Sequence, residues 1–169
     1  MDQVELKIWH FFNRELAKLN DVLKVYDALF KNINIKNNRY NQLFQLILDS
    51  FTRYICFTLG VFFDRRKDSW SLYKFKSLKQ ARIDDIKNKA RPFLQLRHTK
   101  FAHRSKNIIS SNSFNFLTKM GVREVKNLVK EIENLLLEIS GKEKLGESYF
   151  LEWGGAKRSL KSFVNDIKR

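Results

Sequence analysis

"VREVKNLVKEIENLLLEIS", residues 122–140, decides the fold class. Val122, Val125, Val129, Ile132, Leu136 and Ile139 recur at three- and four-residue steps, the repeat that lays one apolar stripe along an α-helix. Gly141 follows, where a helix C-cap takes glycine. The same repeat runs upstream. Ile8, Phe12, Leu16, Leu19, Leu23, Tyr26 and Phe30 predict a helix over 4–31. Leu43, Phe44, Ile47, Phe51, Ile55, Leu59 and Phe62 predict another over 40–63, apolar nearly all round at its C-terminal end and therefore central.

Between these, "NINIKNNR" and "DRRKDSW" are polar connectors, with a short helical turn expected from Ser69. Ser77 and Gln80 have capping-box spacing for a helix over 78–102, kinked or restarted at Pro92. "SKNIISSNSFNF" reads as irregular, and Leu160, Phe163, Val164 and Ile167 predict a last helix over 156–167. One proline and six glycines in 169 residues leave too few turn residues for a strand-rich fold. The expected architecture is all-α, an antiparallel bundle of four to five helices in one domain, with 141–169 as a C-terminal helical extension.

Charge narrows the partners. The formal net charge is +15, and between Arg65 and Lys106 fourteen Lys or Arg face three acids (Asp68, Asp84, Asp85), a local excess of eleven. Concentrated positive charge along one helix and its approach is the footprint expected of nucleic-acid binding, the alternatives being a solvated cationic face or one that docks an acidic protein. The lone Cys56, inside "YICFTLGVFF", cannot close an intramolecular disulfide and reads as an inert core residue in a reducing cytoplasm. That run is too short, and too closely flanked by Arg53 and Asp64, to span a bilayer, and Asp2 and Glu5 stand where a signal peptide would be cationic. The expectation is a cytoplasmic protein that does not engage membranes.

"FLQLRHTKFAHRSKN", 93–107, holds two of the three histidines among its cations. On an unbroken helix at about 100° per residue, Ile83, Ile86, Ala90, Leu94 and Phe101 form the buried stripe. Arg97 falls near its middle, His98 on its edge and His103 on roughly the opposite side. A guanidinium aimed at a core or an interface needs partners, since an unpaired buried charge is costly; it either pairs with a core acid or faces a cleft. For Arg97 and His103 to share a site, either the helix ends near Ala102 or two copies of the chain meet there. His10, in "IWHFFN", reads as a packing histidine, and Trp70, Tyr73 and Phe75 read as core rather than as stacking platforms.

These residues resemble the HEPN superfamily of nucleotide-binding helical bundles. Its motif is an arginine, a polar residue (Asn, Asp or His), three to five others and a histidine; Arg97, His98, "TKFA" and His103 fill it. "LRHTKFAHR" is similar to the Leu-Arg-Asn-Lys-x-x-Ala-His run common near that motif, and "FFDRRKDSWSL" to a segment preceding the catalytic helix in the abortive-infection U-type branch. The likeness covers about 62–104. Toxins modified by a nucleotidyltransferase antitoxin often carry tyrosine two residues after the histidine, where this chain has Ser105.

The resemblance implies a metal-independent endoribonuclease, a toxin of a toxin–antitoxin or phage-defence system, needing no cofactor. The RNA 2′-hydroxyl attacks its own phosphodiester, leaving a cyclic phosphate and a 5′-hydroxyl. His103 would move protons as general acid/base, its imidazole being suited to neutral pH. Arg97 would hold the phosphate with its planar fork, and His98 would position the reacting groups. Lys100 and Arg104 would bind RNA. One His103 cannot easily serve as acid and base at once, so a homodimer sharing a cleft is expected, together with a cognate antitoxin, a nucleotidyltransferase being one such kind. The competing reading is a catalytically inactive HEPN-like module that binds RNA, nucleotide or protein. Metallonuclease, P-loop and nucleophile-elbow chemistries lack their residue patterns, and the adjacent Asp84 and Asp85 point about 100° apart rather than converging.

Overall fold

The structure, a computed structural model, describes residues 1–32, 41–102, 113–141 and 165, with the backbone alone at 30–32, 41, 100–102 and 113–121. It is all-helical, with four helices packed on one another and no strand among the described residues. They are α1 (Gln3–Asn32), α2 (Asn41–Phe62), α3 (Gln80–Leu96) and α4 (Ser113–Ser140). The expected 156–167 helix lies outside the described residues apart from Asn165, which is helical.

α1 starts at a capping box. Asp2 Oδ1 accepts from the amides of Val4 at 3.0 Å and Glu5 at 2.9 Å, and Glu5 Oε2 accepts from the Asp2 amide at 2.9 Å. Its predicted stripe is buried from Ile8 to Tyr26. The pairs Trp9–Leu136, Asn20–Glu133 and Lys126–Asp27 run in opposite senses along α1 and α4, so these helices are antiparallel. Arg82–Glu138 and Lys89–Glu131 set α3 antiparallel to α4 in the same way. Phe12–Phe62, Glu15–Tyr54 and the Leu29–Phe44 cluster do so for α1 and α2. α2 packs against the other three helices, as its composition implied.

Residues 63–79 carry the chain past the start of α1, where Glu5 Oε1 accepts from the Lys76 amide at 2.8 Å and Asp2 pairs with Lys76 at 3.1 Å. The one helical turn there is Leu72–Lys74, not a turn beginning at Ser69. The Ser77–Gln80 capping box does not form. A turn closed from Leu78 N to Phe75 O places Ser77 ahead of the helix, and Lys79 takes the N-cap without a side-chain bond.

Three further expectations are corrected. α3 runs through Pro92 without ending, because Ala90, Phe93 and Leu96 are buried around it; the break comes at Arg97, where the ladder turns into a π-helix over Arg97–Ala102. Its buried stripe is Ile83, Ile86, Ala90, Phe93 and Leu96, with Leu94 only half-buried. α4 begins at Ser113 rather than near 122; Gly121 occupies a stripe position in the sequence and hides the continuing repeat of Phe114 and Leu117.

Candidate functional site

Arg97 stands one turn after Phe93, just past the end of α3, and leans toward α2. Its guanidinium lies across Gly60, in the last turns of α2, so closely that a Cβ there would come within 2.8 Å of Arg97 Cδ and Cζ and nearer still to Nη1. The glycine is the seat of the arginine. Arg97 Cζ also stands 5.6 Å from the centre of the Phe57 ring, a cation–π arrangement. Its Nε is buried and has no hydrogen-bond partner among the described residues, and none of the ion pairs there includes it. Two acids line the hollows that Arg97 borders, Glu15 and Asp64, but among the described residues neither forms an ion pair with it.

Two hollows meet at this side chain. The larger, about 410 Å³, has a mixed lining, with Asp64, Arg65, Arg66, Lys87, Arg97 and His98 set among Gly60, Phe63 and Leu94. The structure thus brings Arg97 and His98 to one cleft, His98 being exposed at its wall. The smaller, about 180 Å³, is mostly apolar, walled by Phe11, Tyr54, Phe57 and Val61, with Glu15, Thr58 and Arg97 as its polar members.

The cations of the larger cleft differ in how they are held. Arg66 Nε and Nη2 grip Asp64 at 3.0 and 2.7 Å. Those bonds, aided by the charge of Arg97, hold the Asp64 carboxyl below its ordinary value. Arg65 Nη2 donates to Asp84 at 2.6 Å and stacks over Tyr73 at 4.7 Å, and Tyr73 donates its hydroxyl to the same Asp84 oxygen at 2.5 Å. Asp84 is lowered in turn, first by the Tyr73 hydroxyl and then by Arg65. Lys87 Nζ lies 5.8 Å from the Tyr73 ring. Asp84 and Asp85 take different partners, Arg65 and Lys89, as their adjacency implied. The local excess of eleven is therefore partly neutralised by acids from elsewhere in the bundle: Asp2 on Lys76, Glu131 on Lys89 and Glu138 on Arg82.

Beyond Arg97 the π-helix carries the motif onward. Thr99 Oγ1 donates to the Gln95 carbonyl at 2.8 Å, across the step where the ladder changes. His103 and Arg104 lie outside the described residues, and Lys100 is described by its backbone only. The 100° wheel that set His103 opposite Arg97 does not apply, because α-helical geometry stops at Leu96. His10 is exposed, its ring edge-on to Trp9 at 5.2 Å, and not packed inside as expected. Trp70 is 46% exposed against Phe11, whereas Phe75 is core and Tyr73 half-buried. Cys56 is fully buried, and burial pushes its thiol up to about 12, consistent with an inert core position.

Sequence reasoning missed Gly60 as a site residue; its signal was a single glycine inside an apolar helical run, which marks close approach of another group. It also missed Glu15 and Tyr54, which no motif singles out. Among the described residues no three His, Cys, Asp or Glu converge as a metal site, and no helix is long and apolar enough to cross a membrane. No protein-family model, curated protein or solved structure matches the chain.

Proposed function

We propose that the chain is a metal-independent endoribonuclease of the HEPN kind, acting as a toxin in a toxin–antitoxin or phage-defence system. The supporting observation is Arg97: a guanidinium seated on Gly60, with a buried Nε that has no hydrogen-bond partner among the described residues, lining a cleft with Arg65, Arg66 and Lys87. In this reading Arg97 grips a phosphate oxygen of the RNA and stabilises the charge that builds on the phosphorane. His98, in the same cleft, orients the phosphate, and His103 moves the protons. The 2′-oxygen forms a bond to phosphorus, the P–O5′ bond breaks, and the departing oxygen takes a proton. A second copy of the chain supplies the second His103 across a shared cleft, and Lys100 and Arg104 hold the flanking backbone. A cognate antitoxin neutralises the enzyme.

The test is incubation of purified protein with total RNA in EDTA, with product ends read by mass spectrometry. Cyclic phosphate and 5′-hydroxyl ends that appear despite the chelator, and that Arg97→Ala and His103→Ala each abolish, are the expected result. Cleavage that survives His103→Ala overturns the site assignment. RNA binding with no cleavage under any condition favours the inactive binding module, and light scattering that finds only monomer at micromolar concentration removes the shared cleft.

A further inference from the structure

We infer that the small hollow beside Arg97 is a nucleobase subsite that selects guanine through Glu15. The inference rests on the RNA-phosphate reading of Arg97, because that side chain lines both hollows and ties a base in one to a phosphate in the other. Size comes first. About 180 Å³ is several times the ~30 Å³ share of one water and below the ~300 Å³ at which drug-sized pockets begin, which suits one ring system rather than a whole nucleotide. The walls are right for a planar base: Phe57 and Phe11 offer ring surface, and every base has a π-face to lay on it.

The polar members define which base. Glu15 turns a carboxylate toward this apolar space with only 18% of its side chain exposed. Its oxygens are aligned by two donors, Lys18 Nζ to Oε1 at 2.9 Å and the Tyr54 hydroxyl to Oε2 at 3.3 Å. Each oxygen keeps a further lone pair, since an ionised carboxylate accepts about four hydrogen bonds. Guanine alone presents two adjacent donors, N1–H and the 2-amino group, on its Watson–Crick edge. Adenine and cytosine set an acceptor beside their amino group, and uracil flanks its single N–H with two carbonyls. Each of these three would bring a lone pair against the carboxylate, a repulsive contact in place of a hydrogen bond.

The probes are the four ribonucleoside 5′-monophosphates, titrated calorimetrically into the full chain. Guanosine monophosphate is expected to bind at least tenfold more tightly than the other three, in line with the discrimination of one bidentate contact. Glu15→Gln is expected to reduce that preference below threefold, because the amide replaces one acceptor with a donor. Phe57→Ala is expected to weaken all four nucleotides together. A guanine preference intact in Glu15→Gln overturns the assignment, and so does failure of any nucleotide to saturate at millimolar concentration. Guanine selection that depends on Glu15 in a protein that never cuts RNA would keep the subsite while ending the ribonuclease reading. RNA cleavage without Glu15-dependent nucleotide preference would do the reverse.

Discussion

A side chain added at residue 60 meets the movable end of Arg97, not backbone, which makes Gly60→Ala an unusually clean probe. The methyl pushes the guanidinium off its seat, while the helix interior gains about 0.5–1 kcal/mol from exchanging glycine for alanine. Thermal unfolding is expected to show a melting temperature unchanged or a few degrees higher. RNA cleavage, or binding if cleavage is blocked, is expected to fall at least tenfold. In an Arg97→Ala background the same substitution should add nothing further, since residues that act through one contact are non-additive. A Gly60→Ala protein with full activity would show that the seat of Arg97 is irrelevant. Arg97 thus separates the requirements of stability from those of the cleft, because its buried Nε is a group that packing alone would not retain.

At the scale of elements, α3 and its π-helical continuation show what a sequence can and cannot display. The three- and four-residue repeat made Ile83, Ile86 and Ala90 legible as buried, and it placed Arg97 toward the interior. The repeat presumes a constant turn, so it could not show that the ladder changes at Arg97, the point on which the position of His103 depends. Gly60 was visible as a residue and not as a seat, since its meaning lies in a helix 37 positions away. The helix start at Ser113 was hidden by one glycine in the stripe. Pro92 carried a breaking signal that tertiary packing overrides, and the cost is measurable. It cannot donate to the carbonyl one turn back, and proline in a helix interior is about 3 kcal/mol worse than alanine. Pro92→Ala is therefore expected to stabilise the protein by about 1–3 kcal/mol in urea unfolding, with an unchanged slope. No gain would mean that the helix accommodates the proline at no cost.

For the whole molecule, the connector over 63–79 is pinned by carboxylates at both ends. Asp2 and Glu5 hold Lys76 to α1, and Asp84 holds Arg65 and Tyr73 to α3. All three carboxyls are lowered from ordinary values of 3.8 for the aspartates and 4.5 for Glu5, chiefly by the hydrogen bonds they accept. A carboxyl lowered on folding stabilises the fold fully above its unfolded pKa and loses that contribution as pH falls through its folded value. The melting temperature is expected to be level from neutrality to about pH 5 and to fall below it, with Asp84→Asn lowering the plateau and flattening the acid limb. The same pairing limits how much of the +15 charge reaches a ligand. Each phosphate neutralised on a single strand adds about −0.7 to the slope of log affinity against log salt. If all fourteen cations between Arg65 and Lys106 met phosphates, that slope would approach −10. Several are already held by Asp2, Glu131 and Glu138, away from the cleft. The cleft cations Arg65, Arg66, Lys87 and Arg97, joined by Lys100 and Arg104, would give about −4 per chain. Fluorescence anisotropy of a short single-stranded RNA over a salt series measures this directly, and Arg97→Ala should make the slope shallower by about 0.7. A slope near −10, indifferent to Arg97, would mean that RNA coats the basic surface and does not enter the cleft.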